Sequence, residues 1–431
     1  MARCKWIGGA KNVIQVTKIV IGGTWATNDT ITLTIDSIDV VITIGTLVTT
    51  SQVATTIVEA FNGTSLTDTS AACSPTIDEG GAQALGAFCE IEAAIDPTNT
   101  SAVLLTSVTS GTPFTLTRSL SSGSGTATLT TPTAATGANH WNNGDNWDGG
   151  SVPVDGDDIV FDSGNVDCLW NINAAIQPGT FVKTKQYTGR IGLPDVNTTT
   201  SGKPFREYRT KYLTFDDNST TGVYHLESGD LGTGSPRLRL DTGAGASTIV
   251  IYGSGTSEIT GQPAITIKGK GNVTALGGTI GIAYLEGETM DGTLKIGGGS
   301  TTPIVTCGPG FTLTTVDQIS GTSYIRSNTT DIDLTGGEMY LERSSAHTNI
   351  AVDGGTLYYN SDGTITTLAV TGTLVKGDPR AATITNVVNV YANANISDPH
   401  GAFAASAGWK INCRLSKVTL DFGVGRTLAI S

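Results

Sequence analysis

The sequence predicts a mainly β protein in three parts. Residues 1–135 form a small α+β docking domain, 136–380 a parallel β-helix, and 381–431 a C-terminal β cap or oligomer contact. Three observations carry this reading. The 431 residues hold 55 Gly, with 15% charged and 6% aromatic residues, and the bulk is Thr, Gly, Val, Ile, Leu, Ala and Ser. That mixture suits strands and turns and is poor material for helix bundles, coiled coils or doubly wound nucleotide-binding folds. A helical stripe occurs in the first part, over 51–61. Beyond it, the sequence repeats itself at 18 residues.

In the first part, 13–21 (VIQVTKIVI) reads as a strand by its β-branched content. Residues 29–44 read as two strands with a turn near Ser37 and Ile38, and Ile31, Leu33 and Ile35 share one face. In the helix, Ser51 is the expected N-cap, and Val53, Ile57, Ala60 and Phe61 make the apolar stripe. Strands near 89–95, 102–107 and 114–118 complete a β-β-β-α-β-β-β order. The small, polar stretch 119–138 is either a last strand or a tether.

At residue 139 the texture changes. Residues 139–153 (NHWNNGDNWDGGSVP) are dense in Trp, Asn and Gly and lead into VDGDDIVFD. Short strands punctuated by Gly follow. The segment 330–341 (TDIDLTGGEMYL) aligns with 348–359 (TNIAVDGGTLYY) at an offset of 18 residues (348 − 330), and 368–375 continues the register with one Gly missing. A unit this short cannot close its own core and must stack on its neighbours. A β-sandwich also suits Thr-rich strands but gives no in-register repeat. The repeat therefore predicts one coil per unit, with Ile, Leu and Val inward and Gly at corners. The last part loses the repeat and is expected to cover the open coil edge.

The net charge of −13 argues against nucleic acid, which needs a positive footprint, and gives no reason to expect an anionic membrane surface. No apolar stretch is long enough for a signal sequence or a membrane span, so assembly in the cytoplasm is expected. Six cysteines are spread thinly; Cys73 and Cys89 either bridge one loop or stay thiols. No phosphate loop, HExxH or nucleophile elbow is present, and His140, His225, His347 and His400 are far apart. No cofactor or metal is expected.

Carboxylates cluster at Asp155, Asp157, Asp158 and Asp162, at Asp216 and Asp217, and at Asp331 with Asp333. Each group fits a Ca²⁺ or acid/base site, or else turn residues and a solvated face. Trp141 and Trp147 either stack on sugar rings or plug the end of the β-helix core. A basic strip within KPFREYRTK, comprising Lys203, Arg206, Tyr208, Arg209 and Lys211, is unusual in an acidic chain. It is the candidate interface, with an exposed strand as the alternative.

The segment GANHWNNGDNWDGGSVPVDGDDIVFD resembles the motif that opens the solenoid in uncharacterised β-helix proteins of tailed bacteriophages and some bacteria. Trp141, Asn146, Trp147, Gly149, Gly150, Val152, Pro153, Gly156 and Asp157 carry the resemblance. The N-terminal pattern, with Asn28-Asp29-Thr30 and 110–116 (SGTPFTL), is similar to small α+β modules of phage structural proteins. The resemblance implies a non-enzymatic virion protein, in capsid decoration or as a tail accessory protein or fibre. It implies a homotrimer whose partners are the major capsid or tail protein. The alternative is a tailspike-like module that binds or depolymerises a host-surface glycan. No catalytic residues carry over.

Overall fold

Strands with inward apolar residues at every second position, interrupted by glycine, cover their edges by stacking coil on coil, and this chain does so in two sheets. The computed structural model describes residues 2–35, 38–46, 48–62, 73–77, 91–192, 212–216, 222–230, 232–257, 262–269, 271–282, 292–308, 312–342, 346–412 and 417–423. The fold is the expected mainly β one, a small α+β region followed by a long parallel solenoid.

The α+β region holds two antiparallel four-stranded sheets. One has the order Ile91–Asp96, Asn99–Ser107, Val16–Gly23, Gly125–Thr133; the other Cys73–Ile77, Ile38–Ile44, Thr30–Ile35, Leu116–Ser121. Within the ambiguous stretch 119–138, Gly125–Thr133 is therefore a strand, paired along Val16–Gly23. The α-helix Thr50–Asn62 buries Val53, Ala54, Ile57, Ala60 and Phe61 against both sheets. Its cap is Thr49, not Ser51. The Gln52 N–H donates to Thr49 Oγ1 at 3.3 Å and Gln52 Oε1 accepts the Thr49 N–H at 2.9 Å, a reciprocal capping box. At the other end Asn62 exchanges two hydrogen bonds with the main chain of Ala93, at 2.8 and 2.9 Å, and so pins the helix to a sheet edge.

From Leu213–Thr214 to Thr373–Val375, successive strands alternate between two parallel sheets, the two walls of the solenoid. On one wall Ile249, Val273, Leu294, Val316, Ile332, Ile350 and Leu368 lie rung over rung. On the other, Ile280, Val305, Ser323, Met339, Leu357, Leu374, Ile396 and Leu420 do the same. The repeat seen in the sequence is this pairing: Ile332 sits beside Ile350, and Met339 beside Leu357. Each apolar rung side chain removed from water contributes about 1.5–3 kcal/mol. Ser323 is the polar rung, and its hydroxyl donates to Gln318 Oε1 at 2.6 Å. Gln318 in turn gives its N–H groups to Gly321 O and Glu338 O at 3.0 Å, so the polar side-chain atoms of both Ser323 and Gln318 have partners.

Corners are made by glycine where the backbone demands it. Gly337 and Gly355, the second glycines of the two clearest repeats, have φ of +82° and +65°. A Cβ on Gly355 would lie 2.4 Å from Gly337 O, one coil below. The final part does not abandon the architecture. Ala382–Ile384, Val388–Tyr391, Phe403–Ala405 and Trp409–Asn412 extend one wall, and Asn395–Ser397 and Thr419–Asp421 the other. Trp409 meets Phe422 edge-on at 5.0 Å and closes the last described coil.

Candidate functional site

The N-terminal end of the solenoid is built from pieces far apart in sequence. Residues Arg3–Lys5 do not join the α+β sheets. They pair in parallel with Asp158–Phe161 and add a rung below the first coil. The aspartate cluster around 155–162 is spent on holding this strand and its neighbours. Asp157 accepts the N–H of Ala2 at 2.8 Å and of Val154 at 3.1 Å, and accepts a hydrogen bond from the Cys4 thiol at 3.6 Å. These donors, the Ala2 N–H foremost, hold the Asp157 carboxyl below the usual carboxylate range. Asp162 pairs with Lys5 at 2.7 Å and Arg3 at 2.9 Å, and its pKa is lowered chiefly by Lys5. Asp148 accepts the Lys5 N–H at 2.9 Å. Asp155 and Asp158 bind the next coil, at Gln177 N and Thr180 Oγ1. The turn-and-support reading of this cluster therefore stands. Among the described residues, no group of three His, Cys, Asp or Glu is arranged to hold a metal ion.

Trp141 and Trp147 are the plug. With Trp6 they are at most 2% exposed, and the rings meet edge-on at 4.7 Å (Trp141–Trp147) and 5.2 Å (Trp6–Trp147). Both buried indole N–H groups that face the main chain find acceptors: Trp147 to Trp141 O, and Trp6 to Val166 O, each at 3.0 Å. Sugar rings cannot reach them. Asn146, fully buried, ties three chain segments together through Gly137 O, His140 O and the Ala10 N–H, each at 2.8 Å.

His140 joins the α+β region to the solenoid. Its Nε2–H donates to Gly111 O at 2.7 Å, and its Nδ1 accepts from Asn171 Nδ2 at 2.9 Å. That pair of bonds selects one neutral tautomer, and burial lowers the ring's pKa. His347 is likewise buried on Thr329 O at 2.7 Å.

The outer walls carry two ladders. Asp331 and Asp333 do point out of one wall, and Asp331 Oδ1 accepts from the main chain and side chain of Asn349. Burial and the neighbours Asp317, Asp353 and Asp331 raise the Asp333 pKa. On the other wall Tyr324, Tyr340 and Tyr358 stack at 5.0 and 4.4 Å with planes 14° and 5° apart. Their faces cover one another, so the ladder stiffens coil stacking and offers edges outward.

One cleft of about 430 Å³ opens on the second wall. It is lined by Leu169, Trp170, Asn171, Ile172, Asn173, Tyr212, Thr214, Asp241 and Lys268. Asn173, Thr214, Asp241 and Lys268 are cross-strand partners in successive coils and form a single polar column along the solenoid. Sequence reasoning missed this column, because its members lie 27 to 41 positions apart in no repeating motif. The expected interface residues Lys203, Arg206, Tyr208, Arg209 and Lys211 lie outside the described residues, as does Cys89 of the Cys73/Cys89 pair. Comparison with family models, curated proteins and solved structures finds no match.

Proposed function

We propose that the chain is a non-enzymatic structural component of a tailed-phage particle, acting as a stiff rod with a docking module at its N-terminal end. The observation that carries the reading is the joint between the two. The strand Arg3–Lys5 is stitched into the first coil, and the described residues between 11 and 133 then form the module before the chain returns to the rod at His140. The module is thus tethered twice, on either side of its own fold, and load on it passes into the solenoid through paired strands. That is the mechanical requirement of an accessory or decoration protein. The residues of the opening motif support the same reading, since Trp141, Asn146, Trp147 and Asp157 build the joint itself.

In this proposal the rod associates as a homotrimer in the assembled virion, against the major capsid or tail protein. Peptide mass spectrometry of purified particles with copy counting tests the role. Tens or hundreds of copies place it on the head, and a handful on the tail. Its absence from particles made in cells that express it overturns the proposal. Mass photometry of the full chain tests the trimer; a stable species at the 44.4 kDa chain mass overturns it.

A further inference from the structure

We propose that the α+β module docks by strand addition, a step that rests on its reading as a docking module: the outer edge of Gly125–Thr133 accepts an extended, uncharged segment of a different chain. The strand is the last of its sheet and pairs on one side, with Val16–Gly23. In an antiparallel ladder every second residue of such a strand turns its N–H and C=O away from the neighbour. Among the described residues nothing meets them, for no residue from Thr126 to Thr133 makes a hydrogen bond outside that pairing. The side chains of Thr126, Thr128, Thr130 and Thr131 are exposed.

Sheets ordinarily guard their edges with charge, proline or a covering group. The other three edge strands of the module are guarded. In Ile91–Asp96, Asn62 bonds both the N–H and the C=O of Ala93, and Glu92 and Asp96 add charge. Cys73–Ile77 contains Pro75, which has no N–H to offer. Leu116–Ser121 presents the exposed Arg118. Gly125–Thr133 carries no charge, and its proline, Pro132, comes only near the end, so the edge is open from Gly125 to Thr131.

At the start of that open edge lies an unpaired donor. The Trp25 ring fills the place of the side chain that Gly125 lacks, since a Cβ there would lie 2.5 Å from the ring. Trp25 is 7% exposed, and its Nε1–H has no acceptor among the described residues. Buried indole N–H groups are ordinarily bonded, as those of Trp6 and Trp147 are in this chain. A strand added beside Gly125 brings carbonyl oxygens to this end of the sheet.

The two faces of the strand define the occupant. Ala127 and Leu129 lie against the module's core, and Thr126, Thr128 and Thr130 face solvent. A segment that continues the sheet places apolar side chains beside the first pair and small β-branched ones beside the threonines. The edge strand has no charge of its own, so a charged occupant would lose water without gaining a partner. Pairing of the edge with its own copy is two-fold and leaves one member of a trimer unpaired. The occupant is therefore a strand of another protein.

The test uses the full chain and the acetylated peptide KGTVTITVTGK, whose centre is an uncharged alternating strand. The control, KGTPTIPVTGK, has the same charge but proline at two central positions. With the first peptide at about 1 mM, amide exchange over 125–131 is expected to slow, and with the control it is expected to stay as in the free chain. The double variant Thr128→Lys with Thr130→Lys, at exposed positions, is expected to weaken the first peptide's binding about tenfold with an unchanged unfolding midpoint. Thr117→Lys, on the other sheet, leaves it unchanged. The comparison of the two peptides needs no variant and decides the edge even if the double variant unfolds. Equal protection by both peptides, or none by either, overturns the proposal. A dimer in mass photometry that the double variant dissolves assigns the edge to a second copy and overturns the occupant. All of these readings use the isolated chain, so its absence from particles would remove the structural role and leave the result at the edge standing.

Discussion

Asp157 accepts a hydrogen bond from the main-chain N–H of Ala2 at 2.8 Å, across 155 positions of sequence. That carboxylate helps to hold the start of the chain as a strand of the solenoid, beside the strand pairing and the contacts of Asp148 and Asp162. Hydrogen bonds to a charged acceptor are worth about 1.5–3 kcal/mol each, and Asp157 makes two to N–H groups from a site that is 7% exposed. Asp157→Ala is therefore expected to release residues 2–7 from hydrogen-exchange protection. It should lower overall stability by about 3 kcal/mol. Unchanged protection would show that the strand pairing, Asp148, Asp162 and Trp6 hold the strand without Asp157.

The same latch is acid-sensitive. The Asp157 and Asp162 carboxyls are held below their unfolded values by the donors of the N-terminal strand. Their contribution is complete above the unfolded carboxylate pKa and is lost as pH falls through the folded values. Exchange protection of residues 2–7 is expected to fail at a higher pH than that of the central coils.

His140 acts near neutrality. Its folded pKa is lowered, so below the unfolded value of 6.5 the unfolded chain binds the extra proton and stability declines as pH falls. A proton on Nδ1 would also face the donating amide of Asn171. His140→Gln is expected to flatten the dependence of the unfolding midpoint between pH 5 and 6.5, leaving the part due to the buried His347.

Lys183 is 1% exposed, with its ammonium among Tyr187 O, Glu227 O and Ser228 Oγ at 3.1–3.3 Å. Burial pulls its pKa down to about 7. The unfolded chain then binds more protons between about 7 and 10.5, so stability rises with pH across that window. Lys183→Met is expected to lack this rise in denaturant titrations at pH 7 and pH 10, whatever its absolute stability.

Corner glycines differ in what they tolerate. At Gly337, φ is +82° and an added Cβ would lie 2.2 Å from Gly321 O, whereas Gly377 has open space around it. Gly337→Ala is expected to cost about 1–3 kcal/mol, and Gly377→Ala to leave the unfolding midpoint in place. Equal effects would mean that coil stacking relaxes around the corner.

The sequence alone determined the architecture wherever structure is local or periodic. Alternation placed Ile31, Leu33 and Ile35 on one buried face, and the 18-residue offset became the pairing of Ile332 with Ile350. Composition and spacing also brought Trp141 and Trp147 to the end of the core, with the choice between plug and sugar platform left open until their burial was seen. Tertiary structure decided what has no period. The coils outside 330–375 differ in length, so pairs such as Ile265 with Ile280 and Tyr224 with Ile249 follow no common offset. The partner of the Asp157 cluster lies at the other end of the α+β region, and the Asn173–Thr214–Asp241–Lys268 column spans coils of unequal length. A local pattern records which face of a strand is buried. Which distant strand lies beside it is chosen by the closure of every intervening loop, and that choice is made only when the whole chain folds.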